Sequence, residues 1–208
     1  MHLIFFDNES HLFPFSYENM FSAISDFFKT EFPLNEHGLE ELFSHFRLTH
    51  YPANSMLLQA ETKEKKLRFL NNGIVREYYY NQDIERNINF YVKPQFISDL
   101  LAFNQNTSTR KYQECLSAVE VLSIDRHIFF ELLEKYECGK SLVTSSFQKL
   151  LTQKESFEYN HLTKNPETRY QELLVKKPEW IRYIPQYHIA SYLNITPETL
   201  SRIRKRIS

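Results

Sequence analysis

Apolar positions recur at helical spacing near the start of the chain, at strand spacing through its middle, and at helical spacing again towards its end. Met20-Phe21-Ser22-Ala23-Ile24-Ser25-Asp26-Phe27-Phe28 predicts a helix, and Leu39, Leu42 and Phe46 continue the spacing after Gly38. From about Phe46 to Ile124 the chain breaks into short β-rich runs. Asn87-Ile88-Asn89-Phe90-Tyr91-Val92 alternates cleanly. Leu67-Arg68-Phe69-Leu70 runs through Asn71-Asn72-Gly73 into Ile74-Val75-Arg76-Glu77-Tyr78-Tyr79-Tyr80, and Asn-Gly between two such runs predicts a β-hairpin. Val119-Glu120-Val121-Leu122-Ser123-Ile124 closes the set. Strands at a spacing of roughly 8–12 residues predict a barrel, sandwich or jelly roll.

Asp125 stands where an N-cap belongs, and Ile128, Phe129, Leu132 and Leu133 form one helical face after it. Gly139 reads as the stop of that helix. Lys140 to about Leu162 has neither Gly nor Pro and predicts a helix about 35 Å long at about 1.5 Å per residue. Val143, Phe147, Leu150 and Phe157 give it an apolar seam, interrupted by Lys154. Such a seam serves either as a dimer interface, the favoured reading, or as packing against the chain's own β-rich part. Asn165-Pro166-Glu167 starts another helix, Leu173 and Leu174 lie on its apolar side, and Lys177-Pro178 ends it.

The stretch from Pro185 to Arg206 reads as two short helices joined by a tight turn. Ile189, Leu193, Ile195, Leu200 and Ile203 are the packing positions, and Ala190 is small where the helices cross. Asn194 occupies the turn, where a left-handed backbone favours Gly and then Asn. Thr196 caps the second helix, Pro197 presets its first turn and Glu198 suits the dipole. This is a helix-turn-helix pattern. In a major groove Glu198 can accept from cytosine N4, and Arg202, one turn on, can reach guanine O6 and N7. Ser201 lies nearly on that face, with Thr199 beside it, and Arg204, Lys205 and Arg206 suit phosphates, as do Gln186 and Tyr187 at the start of the first helix. The competing reading of Glu198 and Arg202 is an intrahelical ion pair.

Composition trims the alternatives. The chain of 208 residues has three glycines, at Gly38, Gly73 and Gly139, so neither a dinucleotide-binding turn nor a P-loop exists. Net charge is −1, yet the last seven residues carry four cations and no acid, which leaves the rest near −5 and suggests a basic patch or a solvated helix end. Cys115 and Cys138 make no disulfide scaffold and no C-x-x-C pair, and the expectation is reduced thiols in the cytoplasm. No apolar run approaches membrane-spanning length, and the start lacks a secretory pattern. His45 and His50 are not spaced as helical metal ligands, so a cupin-type metalloenzyme is disfavoured and no metal is expected. No nucleophile–base pair can be named, and the reading is of a non-enzyme. Tyr78, Tyr79, Tyr80 and Tyr91 read as core or cross-strand packing before pocket lining, and Lys63-Glu64-Lys65-Lys66 reads as a solvated loop tip.

Across roughly residues 20–208 the chain resembles the Crp/Fnr family of transcription regulators. Glu198-Thr199-Leu200-Ser201-Arg202 is similar to the Fnr-type recognition motif Glu-x-x-Ser-Arg, and Asn72-Gly73-Ile74-Val75 more loosely to the Lys-Gly hairpin of the family's β-roll. The fold so implied is α+β: an N-terminal β-roll (double-stranded β-helix or jelly roll) with flanking helices, a long dimerisation helix, and a C-terminal helix-turn-helix lacking a full wing. The expected divisions are 1–138, a cyclic-nucleotide-binding-like sensor; 139–163, the dimerisation helix; and 164–208, the DNA-binding unit. The resemblance implies a homodimer on double-stranded DNA with half-sites about one turn apart. RNA polymerase and a small-molecule effector are further implied partners. In the family a Gly-Glu-Leu turn and a later Arg-Ser or Arg-Thr hold cyclic AMP. Here the corresponding positions read Ser98-Asp99-Leu100 and Thr109-Arg110-Lys111, which argues against a cyclic nucleotide and for another effector or none. The cysteine cluster of the family's iron–sulfur sensors is missing. The rival function is a β-roll that binds a small molecule or a protein and does not read DNA.

Overall fold

The computed structural model describes residues 22–28, 36–137 and 139–207. Met20, Phe21 and Cys138 lie outside the described residues. Helix α1 (22–28) and α2 (Glu36–Ser44) precede the strands. These are β1 (Arg47–Tyr51), β2 (Met56–Leu58), β3 (Lys66–Asn72), β4 (Val75–Asn81), β5 (Ile84–Tyr91) and β6 (Gln95–Phe96). Helix α3 (Leu100–Gln105), β7 (Tyr112–Cys115), β8 (Val119–Asp125) and α4 (Arg126–Lys135) follow. The remainder is helical: α5 (Gly139–Thr163), α6 (Pro166–Lys176), α7 (Pro178–Tyr183), α8 (Gln186–Tyr192) and α9 (Pro197–Ile207).

The strands form two four-stranded antiparallel sheets, in the orders β1-β8-β3-β6 and β2-β7-β4-β5. This is the expected roll, and its sheets exclude water by pairing inner faces. Leu70, Val75, Tyr91, Ile97, Cys115, Val119 and Val121 fill the space between them. A second apolar cluster joins Phe69, Leu122 and Ile124 of the first sheet to Ile24 and Phe28 of α1, Leu42 of α2 and Phe129, Leu132 and Leu133 of α4. Leu39 belongs to it on α2, whereas Phe46 is buried just beyond the end of that helix.

Several expectations are corrected. The Asn72-Gly73 turn does not make a hairpin: β3 and β4 belong to different sheets, and the turn is the corner between them. Gly73 adopts φ +101°, and a Cβ there would stand 2.5 Å from the Ala118 carbonyl oxygen. Close backbone approach, not strand reversal, is what requires glycine. The true hairpin joins β4 to β5, and both central residues, Gln82 (φ 49°) and Asp83 (φ 62°), take the left-handed conformation usual for Asn-Gly. Gly139 opens α5 rather than closing α4; the left-handed residue after α4 is Glu137 (φ 52°). Asp125 does sit at the N-cap of α4, but its side chain makes no capping bond. The run Lys63–Lys66 is not a uniformly solvated tip, because Glu64 is buried against Arg68.

Helix α5 runs for 25 residues, about 37 Å at about 1.5 Å per residue. Of its expected seam, Val143 and Phe147 have side chains outside the described set. Phe157 turns inward and stacks on His161, with ring centroids 3.8 Å apart. Among the described residues of this helix, Leu151 and Leu162, eleven residues apart on one face, are large apolar residues left outward, with Tyr159 beside them. Among the described residues no helix is long and apolar enough to cross a membrane.

Candidate nucleic-acid interface and effector cleft

The C-terminal helices form as their capping residues dictate. Asn165 Oδ1 accepts from the Thr168 N–H at 2.9 Å and Pro166 occupies the first turn of α6. Asn194 takes the left-handed conformation (φ 56°) in the turn between α8 and α9, and Thr196 Oγ1 accepts from the Thr199 N–H at 3.2 Å to start α9. Ile189, Ala190, Leu193, Leu200 and Ile203 are buried together, with Ile195 packed against them. One signal missed in the sequence is how the turn is closed from outside. Arg169 of α6 donates to the Leu193 carbonyl at 2.8 Å, and His161 Nε2 of α5 lies 3.2 Å from that of Tyr192. Cationic and N–H groups at these carbonyls complement the C-terminal end of α8.

Glu198, Ser201, Arg202 and Lys205 are exposed along one face of α9. The intrahelical pair expected as the alternative is not a direct contact. Arg202 Nη2 instead donates to Thr199 Oγ1 at 3.2 Å, and Glu198 is held below the usual carboxylate range by its own backbone N–H, then by the Thr196 hydroxyl. Arg204 and Arg206 are also exposed, and Arg206 pairs with Glu167 of α6 at 2.6 Å. At the other end of the motif Tyr187 is exposed, whereas Gln186 is half-buried with its Oε1 lacking a hydrogen-bond partner.

This unit is seated on the roll through strand β5. The Asn87 N–H donates to Ser191 Oγ at 3.1 Å, the Ser191 hydroxyl donates to the Glu85 carbonyl at 2.9 Å, and Asn87 Nδ2 donates to the His188 carbonyl at 3.3 Å. Phe90 inserts into the apolar cluster of the C-terminal helices, edge-on to Trp180 with centroids 5.0 Å apart. Burial in this seam, then the charge of Arg76, pushes the His188 imidazole down to about 4.

A cleft of about 1310 Å³ opens between the roll, α5 and the C-terminal helices. Of the five residues expected at the effector pocket, Asp99, Thr109 and Arg110 line it. Ser98 and Leu100 do not: the Ser98 hydroxyl accepts from the Arg68 N–H at 2.7 Å and donates to the Lys66 carbonyl at 3.0 Å, and Leu100 packs into the core beside α4. The sequence reading missed Glu77 and gave Lys111 no role. Both line the cleft, and Lys111 Nζ bridges Glu77 Oε1 at 3.3 Å and Asp99 Oδ1 at 3.4 Å. Burial alone would lower the Lys111 ammonium; the charges of Glu77 and then Asp99 outweigh it and hold the group above its ordinary value. Behind these residues Gln113 Nε2 donates to Glu77 Oε2 at 2.7 Å, and Arg68, itself paired with buried Glu64, reaches Gln113 at 3.4 Å. Among the described residues no group of His, Cys, Asp and Glu is arranged to hold a metal ion.

The profile of the cyclic nucleotide-binding domain family matches residues 48–136. No curated protein gives a significant match. Solved structures of similar fold include a mutant of CooA from Carboxydothermus hydrogenoformans, at 18% identity and TM-score 0.62 over 80% of this chain and 78% of that one. The c-di-GMP responsive regulator CLP of Xanthomonas campestris is similar at 14% identity and TM-score 0.64, over 83% and 91% of the two chains. FixK2 of Bradyrhizobium japonicum is similar at 16% identity and TM-score 0.62, over 78% and 84%. The residues present do not suit a cyclic phosphate. An anion entering beside Asp99 and Thr109 would meet two buried carboxylates and an ammonium already shared between them, while the other cations lining the cleft, Lys93, Arg110, Lys154, Lys176 and Lys177, are exposed. Residues 48–136 thus match the cyclic nucleotide-binding domain family, and the chain as a whole shares the fold of CooA, CLP and FixK2.

Proposed function

We propose that the chain is a sequence-specific, DNA-binding transcription regulator that acts as a homodimer. Residues 1–138 form its sensor, 139–163 its pairing helix and 164–208 its reading unit. The observation that carries this is the face of α9. Glu198, Ser201, Arg202 and Lys205 stand in one exposed row on a helix whose start is fixed by the Asn194 turn and the Thr196 cap. A helix so presented enters a major groove with Glu198 and Arg202 at base edges. Arg204, Lys205 and Arg206 supply phosphate contacts, Arg206 giving up Glu167 to do so. Two copies pair most simply along Leu151 and Leu162, which face outward on α5. RNA polymerase is the partner through which such a regulator acts, and its sensor either answers a ligand other than a cyclic nucleotide or has a degenerate pocket that answers none.

The test is selection of binding sites from randomised duplex DNA, with the wild type beside Glu198→Ala and Arg202→Ala. A two-fold-related site is expected, relaxed by both substitutions at the same base positions at a cost of about 1–3 kcal/mol each. Affinity should fall linearly with salt on logarithmic axes. If no site emerges at low salt, with or without cell extract, the reading as a regulator fails and the rival of a β-roll interaction module takes its place.

A further inference from the structure

Glu77 comes from β4 and Asp99 from the turn before α3, and both are buried at the wall of the cleft. Each has one oxygen satisfied from within the roll. Gln113 at 2.7 Å and the Tyr91 hydroxyl at 3.0 Å donate to Glu77 Oε2, and the Thr109 hydroxyl donates to Asp99 Oδ2 at 2.7 Å. The remaining oxygens converge on one point, and Lys111 Nζ occupies it. A side chain of this protein thus stands where two carboxylates would otherwise demand a cation from solution.

We propose that the Lys111 ammonium is this roll's built-in occupant, and that strand β5 carries its presence to the C-terminal helices, Tyr91 bonding Glu77 on one side and Phe90 seating Trp180 on the other. Consecutive strand residues point to opposite faces. Tyr91 accordingly lies in the core between the sheets, and its neighbour Phe90 lies in the cluster of α6 to α9. A shift of the Glu77 carboxylate acts on Tyr91, and one residue along the same strand bears on the only tryptophan of the chain. The cleft is therefore self-liganded, with the lysine in the role that a diffusible ligand has in a responsive sensor.

The proposal deepens the regulator reading, but it is measured without DNA, so either can fail while the other stands. In full-length protein, Lys111→Ala removes three methylenes and the ammonium, the outline of propylammonium. Acrylamide quenching of Trp180 should rise about threefold as its seat on Phe90 loosens, with far-UV circular dichroism unchanged. Propylammonium should restore the shielding, and propionate and cyclic AMP should not. Tyr91→Phe removes only the phenolic bond and should give a smaller rise that propylammonium does not reverse. Rescue by propionate as well as by propylammonium would overturn the role of the lysine. Protection of wild-type Trp180 by cyclic AMP would do the same. Unchanged quenching in Tyr91→Phe would overturn the route through β5, and this variant decides alone if Lys111→Ala does not fold.

Discussion

Replacing Arg68 by Met tests whether the roll is organised around paired buried charges. Arg68 is 7% exposed and its partner Glu64 only 2%. The guanidinium also donates to the Leu57 carbonyl and reaches Gln113, so it ties β3 to the strand before it and to β7. Methionine keeps the length of the stem but leaves Glu64 with backbone N–H donors alone, those of Lys66, at 3.3 Å, and Asp99. Leaving one member of a buried pair uncompensated costs about 3–5 kcal/mol. With a urea slope of about 2 kcal/mol per molar, the unfolding midpoint should fall by about 2 M. Glu64→Gln should cost less, because its amide oxygen still accepts from Arg68. The double variant should be more stable than Arg68→Met alone, since no charge then lacks a partner. Acidification supplies a second arm. Burial raises the Glu64 carboxyl above its ordinary value, and Arg68 is the first influence opposing that rise. Without the arginine the native state holds this proton more tightly than the unfolded state does. The penalty of Arg68→Met should therefore shrink as pH falls towards the ordinary carboxylate range. Urea unfolding followed by circular dichroism measures all four species. A coupling below about 0.5 kcal/mol in the cycle would refute the reasoning.

Two further outcomes are expected. His188 is held neutral at about 4, below its unfolded value of about 6.5, so native stability should be lost as pH falls through that window, by about 3 kcal/mol in all. The difference in urea midpoint between wild type and His188→Gln across pH 4 to 7 isolates this contribution, and parallel curves would contradict it. Gly73→Ala combines φ +101° with a methyl 2.5 Å from the Ala118 oxygen and should cost at least about 2 kcal/mol in thermal or urea unfolding. A loss below about 0.5 kcal/mol, the range of ordinary surface changes, would mean that the corner relaxes.

What was legible in the sequence was whatever a single period or cap encodes. The helix-turn-helix could be read because Asn194, Thr196 and Pro197 mark its boundaries and Ile189, Leu193, Leu200 and Ile203 its inner face. Strand existence was legible as well. Strand pairing was not: Asn72-Gly73 has the composition of a hairpin turn, and only the nearness of Ala118 and Val119, some 45 residues on, distinguishes a corner. The hairpin that exists uses Gln82 and Asp83, which carry no such signal. The cleft was half visible. Asp99 and Thr109 could be aligned with a family turn, whereas Glu77 and Lys111 join them only through the folding of β4 beside β7. Likewise Phe157 reads as part of an outward seam until Tyr192 and His161 are placed against it.

The aromatic residue lent by β5 to the C-terminal helices also bears on how the chain is made. Asn87 and Ser191, which bond across the same seam, are 104 residues apart in sequence. The last four helices thus complete their core with a side chain from a strand synthesised long before them. Domains generally fold in the order in which they leave the ribosome. The hairpin of β4 and β5 is therefore available as a template when α7 and α8 emerge, and the late helices condense on a prepared surface instead of searching for one another alone. A fragment starting at α6 has no such template. Supplied separately from the roll, it should remain a loose set of helices until the strand is returned to it.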